Sequence, residues 1–141
     1  MSTENHHLKE AKKLYQKALE EFEKAKGKSV RFAHRRLRLT DGIVLRDACG
    51  KGWLSAIEAT YAFLVKRGVK EEELPKTDRG RRYMVNKYFE RELKPYYFFL
   101  RDEFHIEGYY EGALDFNDVQ IRLDDLNFYI QKIEELEGVS K

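Results

Sequence analysis

One cysteine, two prolines and nine glycines are all that 141 residues offer in the way of cross-links and turn-makers. With Cys49 alone, no intrachain disulfide can form, and neither a four-cysteine nor a mixed cysteine–histidine zinc site can be assembled. All-β domains need a turn every 8–12 residues or so, and this chain has too few glycines and prolines to build them. Helices are therefore the default. No apolar run approaches the length that crosses a bilayer. The opening Met-Ser-Thr-Glu-Asn-His-His leads straight into a charged helix pattern, without the apolar stretch of an export signal. The expected address is a reducing cytoplasm, with no membrane partner. Also missing are a Gly-rich phosphate loop, a serine nucleophile motif and a metal triad, so no cofactor and no metal is expected. His6 and His7 read most simply as a flexible terminus. Cys49, among apolar residues on a helix, reads as a small buried hydrophobe.

What is present is a 42% hydrophobic and 37% charged composition, in which a continuous core coexists with a densely charged surface. The length suits one domain spanning residues 1–141. The net charge of +2 is too small for a whole-surface polyanion binder, so any anion site must come from local clustering. Abundant charge beside only four Asn and three Gln is a composition typical of proteins that work at high temperature, and a thermophilic source is expected.

From Asn5 to Lys26, Leu8, Ala11, Tyr15, Ala18, Phe22 and Ala25 recur at spacings of three and four, predicting an amphipathic helix that Gly27 would cap. Residues 28–38 are basic and weakly periodic, and read as a connection. Thr40 or Asp41 can cap a second helix reaching about Arg67, with Val44, Ala48, Leu54, Ile57, Tyr61, Leu64 and Val65 inward and Gly68 at its end. Gly50 and Gly52 inside it each cost roughly 1 kcal/mol against alanine, so a kink or a close helix–helix approach must compensate. After a loop around Pro75, two consecutive helices are predicted at about 78–93 and 95–107, with Pro95 in a first turn. Gly108 and Gly112 bracket an expected turn. Asp115 then caps a last helix striped by Val119, Leu123, Leu126, Ile130, Ile133 and Leu136. The expected fold is all-α, an antiparallel up-and-down bundle of four to five helices.

Four constellations bear on function. Lys26, Lys28, Arg31, Arg35, Arg36 and Arg38 form a run without an acidic residue; Arg31, Arg35, Arg36 and Arg38 are the candidates for an anion or nucleic-acid site. The bland alternative is that these cations pair with the acidic last helix. A second basic cluster, Arg79, Arg81, Arg82 and Lys87, opens the third helix, the unfavourable end of its dipole. Eleven of the eighteen Phe and Tyr residues fall between Tyr83 and Phe116. The run Tyr96-Tyr97-Phe98-Phe99 cannot all face one core, so Tyr96 and Tyr97, with Tyr109 and Tyr110, are candidates for a subunit interface or a turn. Finally, Arg101 and His105, four apart on a helix, share a face, where a guanidinium and an imidazole can hold a phosphate and move a proton.

The stretches Arg46-Asp47-Ala48-Cys49-Gly50, Leu54-Ser55-Ala56-Ile57-Glu58-Ala59 and Phe104-His105-Ile106-Glu107-Gly108-Tyr109-Tyr110-Glu111-Gly112 resemble the small HEPN-like helical-bundle proteins, in particular an uncharacterised prokaryotic branch. The resemblance implies a nucleotide-binding role and a homodimer. It also implies metal-independent ribonuclease activity of the toxin–antitoxin kind in catalytic members, which pair with a nucleotidyltransferase-like protein. Catalytic members place four to six residues between an arginine and a histidine. Here three, Asp102, Glu103 and Phe104, separate Arg101 from His105, and the acidic Asp102 repels a phosphate. Three functions are therefore carried forward: first, a non-catalytic HEPN-like module binding a partner protein or a nucleotide-bearing ligand, RNA included; second, a ribonuclease using Arg101 and His105; third, a structural homo-oligomer.

Overall fold

A computed structural model describes residues 5–31, 39–112 and 114–139. Among them there is no strand: α1 (His6–Arg31), α2 (Leu39–Lys66), α3 (Asp78–Tyr88), α4 (Lys94–Leu100) and α5 (Phe116–Val139) pack as an all-α bundle, with a 3-10 turn at Glu71–Glu73 and a π-helix at Arg101–Tyr110 continuing α4.

Each boundary has a local cause. Asn5 caps α1, its Oδ1 accepting from the backbone N–H groups of His7 and Leu8. α2 ends in a Schellman motif, with Gly68 at φ 99°; the N–H groups of Val69 and Gly68 turn back to the carbonyls of Leu64 and Val65. Thr77 caps α3 by accepting from the N–H of Gly80. Pro95 occupies the first turn of α4, as its missing N–H requires. Asp115 and Asp118 cap α5 reciprocally, each side chain accepting from the other's backbone N–H.

Contacts along the chain fix the directions. α1 and α2 run antiparallel, since Asn5 reaches Ala62, Ser55 reaches Ala11, and Lys51 reaches Glu21. α5 opposes α1, with Lys12 paired to Glu134 and Phe22 edge-on to Phe116. The π-helix opposes α2, where Gly52 meets Phe104 and Arg46 meets Tyr110. The long rods thus alternate up and down. Ser55 donates to the Ala11 carbonyl at 2.6 Å, a reach so short that the helices must lie close, which the fully buried Ala11 and Ala18 allow. The core is built on Phe22, Trp53, Tyr97, Phe104, Leu123 and Tyr129. Its polar atoms are partnered where α2 and α5 meet: Tyr129 and Thr60 share a 2.7 Å hydrogen bond.

Several boundaries depart from the expectation. α1 runs past Gly27 to Arg31, and α2 starts at Leu39, so Thr40 and Asp41 lie inside it. Both overruns extend helix into the basic stretch, where periodicity was weak. Leu54, expected inward, is 50% exposed, because it faces an open cleft beside the π-helix and not a packed neighbour. The third helix stops at Tyr88, where Phe89 turns into extended backbone (ψ 143°) and buries its ring in the core. Tyr97, expected at an interface or turn, is fully buried beside Trp53 and Phe89 and can meet no partner.

Candidate functional site

The π-helix carries both Arg101 and His105, yet it turns them to different neighbours. The Arg101 guanidinium grips Asp78 through two hydrogen bonds, Nε to Oδ1 at 2.7 Å and Nη2 to Oδ2 at 2.8 Å, while Nη1 donates to Asp102 at 2.9 Å. Every nitrogen of the fork is occupied by a carboxylate. Hydrogen bonding to Arg101 holds the Asp78 carboxyl below its usual range, and the same bonds raise the arginine. Arg82 also donates to Asp78. Of the arginines at the N-terminus of α3, Arg82 is thus held by a carboxylate in the helix's own first turn.

His105, half-buried, stacks on Trp53 with ring centroids 5.5 Å apart and meets Tyr110 edge-on at 4.8 Å. Burial lowers its pKa, Asp78 pulls the other way, and Arg101 and Arg81 lower it further. At neutral pH the ring is uncharged.

Beside His105 opens a cleft of about 360 Å³, lined by Asp47, Gly50, Lys51, Trp53, Leu54, His105 and Tyr109. It adjoins a shallower hollow between Ile43, Arg46, Asp47, Tyr109 and Tyr110. Two glycines bring the π-helix close to α2 here. A Cβ at Gly50 would stand 3.0 Å from the Tyr109 ring, and one at Gly52 would stand 2.9 Å from Phe104. The sequence expectation of a close approach at these positions is met, the neighbour being the π-helix. Arg46 caps that helix, donating to the carbonyls of Tyr109 and Tyr110 at 3.0 and 2.8 Å. Lys51 donates to Glu21. The cleft is thus an aromatic-walled groove whose cations are largely engaged within the chain.

Tyr109 and Tyr110 are exposed, but they end the π-helix and the turn begins only at Glu111, with Gly112 at φ 62°. Gly108 is no turn residue either. It lies buried in the π-helix, where a Cβ would come within 2.7 Å of the Cys49 Sγ and 2.9 Å of the Glu103 carbonyl oxygen. Cys49 is buried, and burial pushes its thiol up to about 12, the inert hydrophobe anticipated. Tyr96 packs on Phe128 of α5 at 4.9 Å. Asp102 and Glu103 diverge, one to Arg101 and the other to Arg122. Arg31 closes α1, but its side chain, like Arg35, Arg36 and Arg38, lies outside the described residues. Among described residues, the acidic last helix takes a cation from α1 at Lys12–Glu134.

One cluster escaped the sequence reading. His6 and His7 form the first turn of α1 and are no loose terminus. His7 is buried, with Nδ1 2.9 Å from Glu58 Oε2 of α2 and Nε2 2.8 Å from Glu71 Oε1 of the 3-10 turn. Burial disfavours its charge, but the hydrogen bonds to Glu58 and Glu71 prevail and raise its pKa. Both partners are more than fifty residues away in sequence, and the only local signal was the paired histidines before a helix stripe.

No protein-family profile, curated protein or solved structure matches the chain. No helix among the described residues is long and apolar enough to cross a membrane.

Proposed function

We propose that the chain is a non-catalytic, HEPN-like helical module that acts as a homodimer and binds a nucleotide-bearing ligand in the cleft between α2 and the π-helix. The observation that carries this reading is the Arg101 guanidinium. A ribonuclease of the arginine–histidine kind needs that group to receive a phosphate, whereas here Asp78 and Asp102 occupy it and His105 is stacked on Trp53. The aromatic walls suit a flat base, which stacks without needing the arginine.

Trp53 is the only tryptophan and lines the cleft, so its fluorescence reports occupancy. Titration with adenosine monophosphate should quench it saturably, and Leu54→Glu should abolish the quenching while leaving the helical content intact. Unchanged Trp53 emission up to millimolar nucleotide would overturn the ligand. RNA should survive incubation with the purified protein in chelator. Cleavage lost in both Arg101→Ala and His105→Ala, with folding intact, would restore the ribonuclease reading.

A further inference from the structure

We infer that His6, His7 and Glu71 form a binding site for one borderline divalent transition-metal ion of the Zn²⁺ class, with Glu58 orienting His7 from behind. The ligand atoms of the three residues lie within 4.8 Å of one another. Two imidazoles and one carboxylate form the nitrogen–oxygen donor set that Zn²⁺ accepts, and three protein ligands leave a fourth, tetrahedral position for water. A hard ion such as Mg²⁺ prefers an all-oxygen shell and is poorly served by two imidazoles.

Three features make this more than an accidental meeting of side chains. First, the histidine has its outer partner in place. Glu58 Oε2 lies 2.9 Å from His7 Nδ1 and holds a proton there, while Nε2, which donates to Glu71 in the metal-free chain, gives up its proton to bind the ion. This carboxylate–histidine–metal relay fixes the tautomer and orients the ring in known zinc sites. Second, the ligands stand on anchored backbone. Asn5 caps α1 and also donates to the Ala62 carbonyl, pinning the first turn to α2. Glu71 opens a 3-10 turn closed by the Glu73 side chain accepting from the N–H of Lys70, and Tyr61 holds the following segment at Pro75. Third, the charges balance: Glu58 and Glu71 carry two negative charges, which two neutral imidazoles and one dication neutralise. His6, exposed and with its ring centroid 4.0 Å from that of His7, supplies the second imidazole. The ion would tie together the start of α1, the body of α2 and the turn after it, none of which supplies a partner to Arg101.

Calorimetric titration of the full chain with Zn²⁺, after chelator treatment, tests the site. One equivalent should bind saturably, and the melting temperature should rise with free Zn²⁺. His6→Ala, at an exposed position that folding does not need, and Glu71→Gln should each weaken binding at least tenfold. Glu58→Gln should weaken it roughly tenfold or more through His7. X-ray absorption at the zinc edge should count two imidazoles per ion. Zn²⁺ binding unchanged in both His6→Ala and Glu71→Gln, an absorption spectrum with no imidazole, or an equal stabilisation by Mg²⁺ would each overturn the site.

Discussion

Asp78 shows how far residue chemistry reaches and where it is hidden. In sequence it is one acidic residue before a run of arginines, and its partner Arg101 lies 23 residues on. The four-residue spacing of Arg101 and His105 was legible, and so was their shared element. Their separation was not, because the carboxylate that claims the arginine comes from α3. The pair predicts a pH signature. The Asp78 carboxyl is held below its usual range in the folded chain, so its contribution is present above the ordinary carboxylate pKa of about 4 and is lost as pH falls through the lower, folded value. Asp78→Asn should therefore cost about 1 kcal/mol near neutral pH, a partly exposed charge-assisted pair being worth no more. The gap between variant and parent should narrow as pH falls below about 4 and through the lower, folded value, once the Asp78 carboxyl is neutral in the folded and unfolded chain alike. Urea denaturation across that range measures it, and a gap that stays constant or widens in acid would show that Asp78 does not stabilise through its charge.

At the scale of elements, legibility followed local signals. α5 could be read almost residue by residue, because Asp115 supplies a cap and five of its six striped positions are buried. The π-helix could not. Its wider coil passes Gly108 against Cys49, a contact 59 positions away that no periodicity announces, and the glycine looked instead like punctuation. Three glycines now rank by what a methyl group would strike. At Gly108 it meets Cys49 and the backbone oxygen of Glu103, neither able to retreat, so alanine should destabilise by roughly 2–3 kcal/mol. At Gly52 it meets the Phe104 ring, fully buried, for roughly 1–2 kcal/mol. At Gly50 it meets Tyr109, which is 42% exposed and can swing outward, so the cost should stay under about 1 kcal/mol. Thermal melts of the three alanine variants give the order directly. A Gly108→Ala variant as stable as the parent would mean that the π-helix relaxes to an α-helix without loss.

For the whole molecule, the all-helical class and the alternating rods followed from the scarcity of turn residues and from three-four stripes. What the composition could not place was the surplus of aromatics. The bundle buries Tyr97 and Phe104 and leaves Phe99, Ile121 and Phe128 at 52%, 45% and 46% exposure. These lie where α4 crosses α5: Tyr96 packs on Phe128 with the rings tilted, and Arg122 sits 5.7 Å over the Phe99 ring. A rigid apolar strip with an arginine at its edge has the composition of an interface core, rich in aromatics and arginine and poor in lysine. It lies on α4 and α5, whereas the cleft lies between α2 and the π-helix, so a dimer formed through the strip keeps the cleft open. The proposed homodimer should therefore dissociate when Phe128 becomes glutamate, because two buried carboxylates would face each other across a two-fold axis. Sedimentation equilibrium should show a dimer for the parent and a monomer for Phe128→Glu, while Trp53 quenching by nucleotide persists in both. A parent chain that sediments as a monomer at concentrations on the order of 100 μM, far above the dissociation constants of stable dimers, would remove the homodimer from the proposal and leave the cleft to act in a single chain.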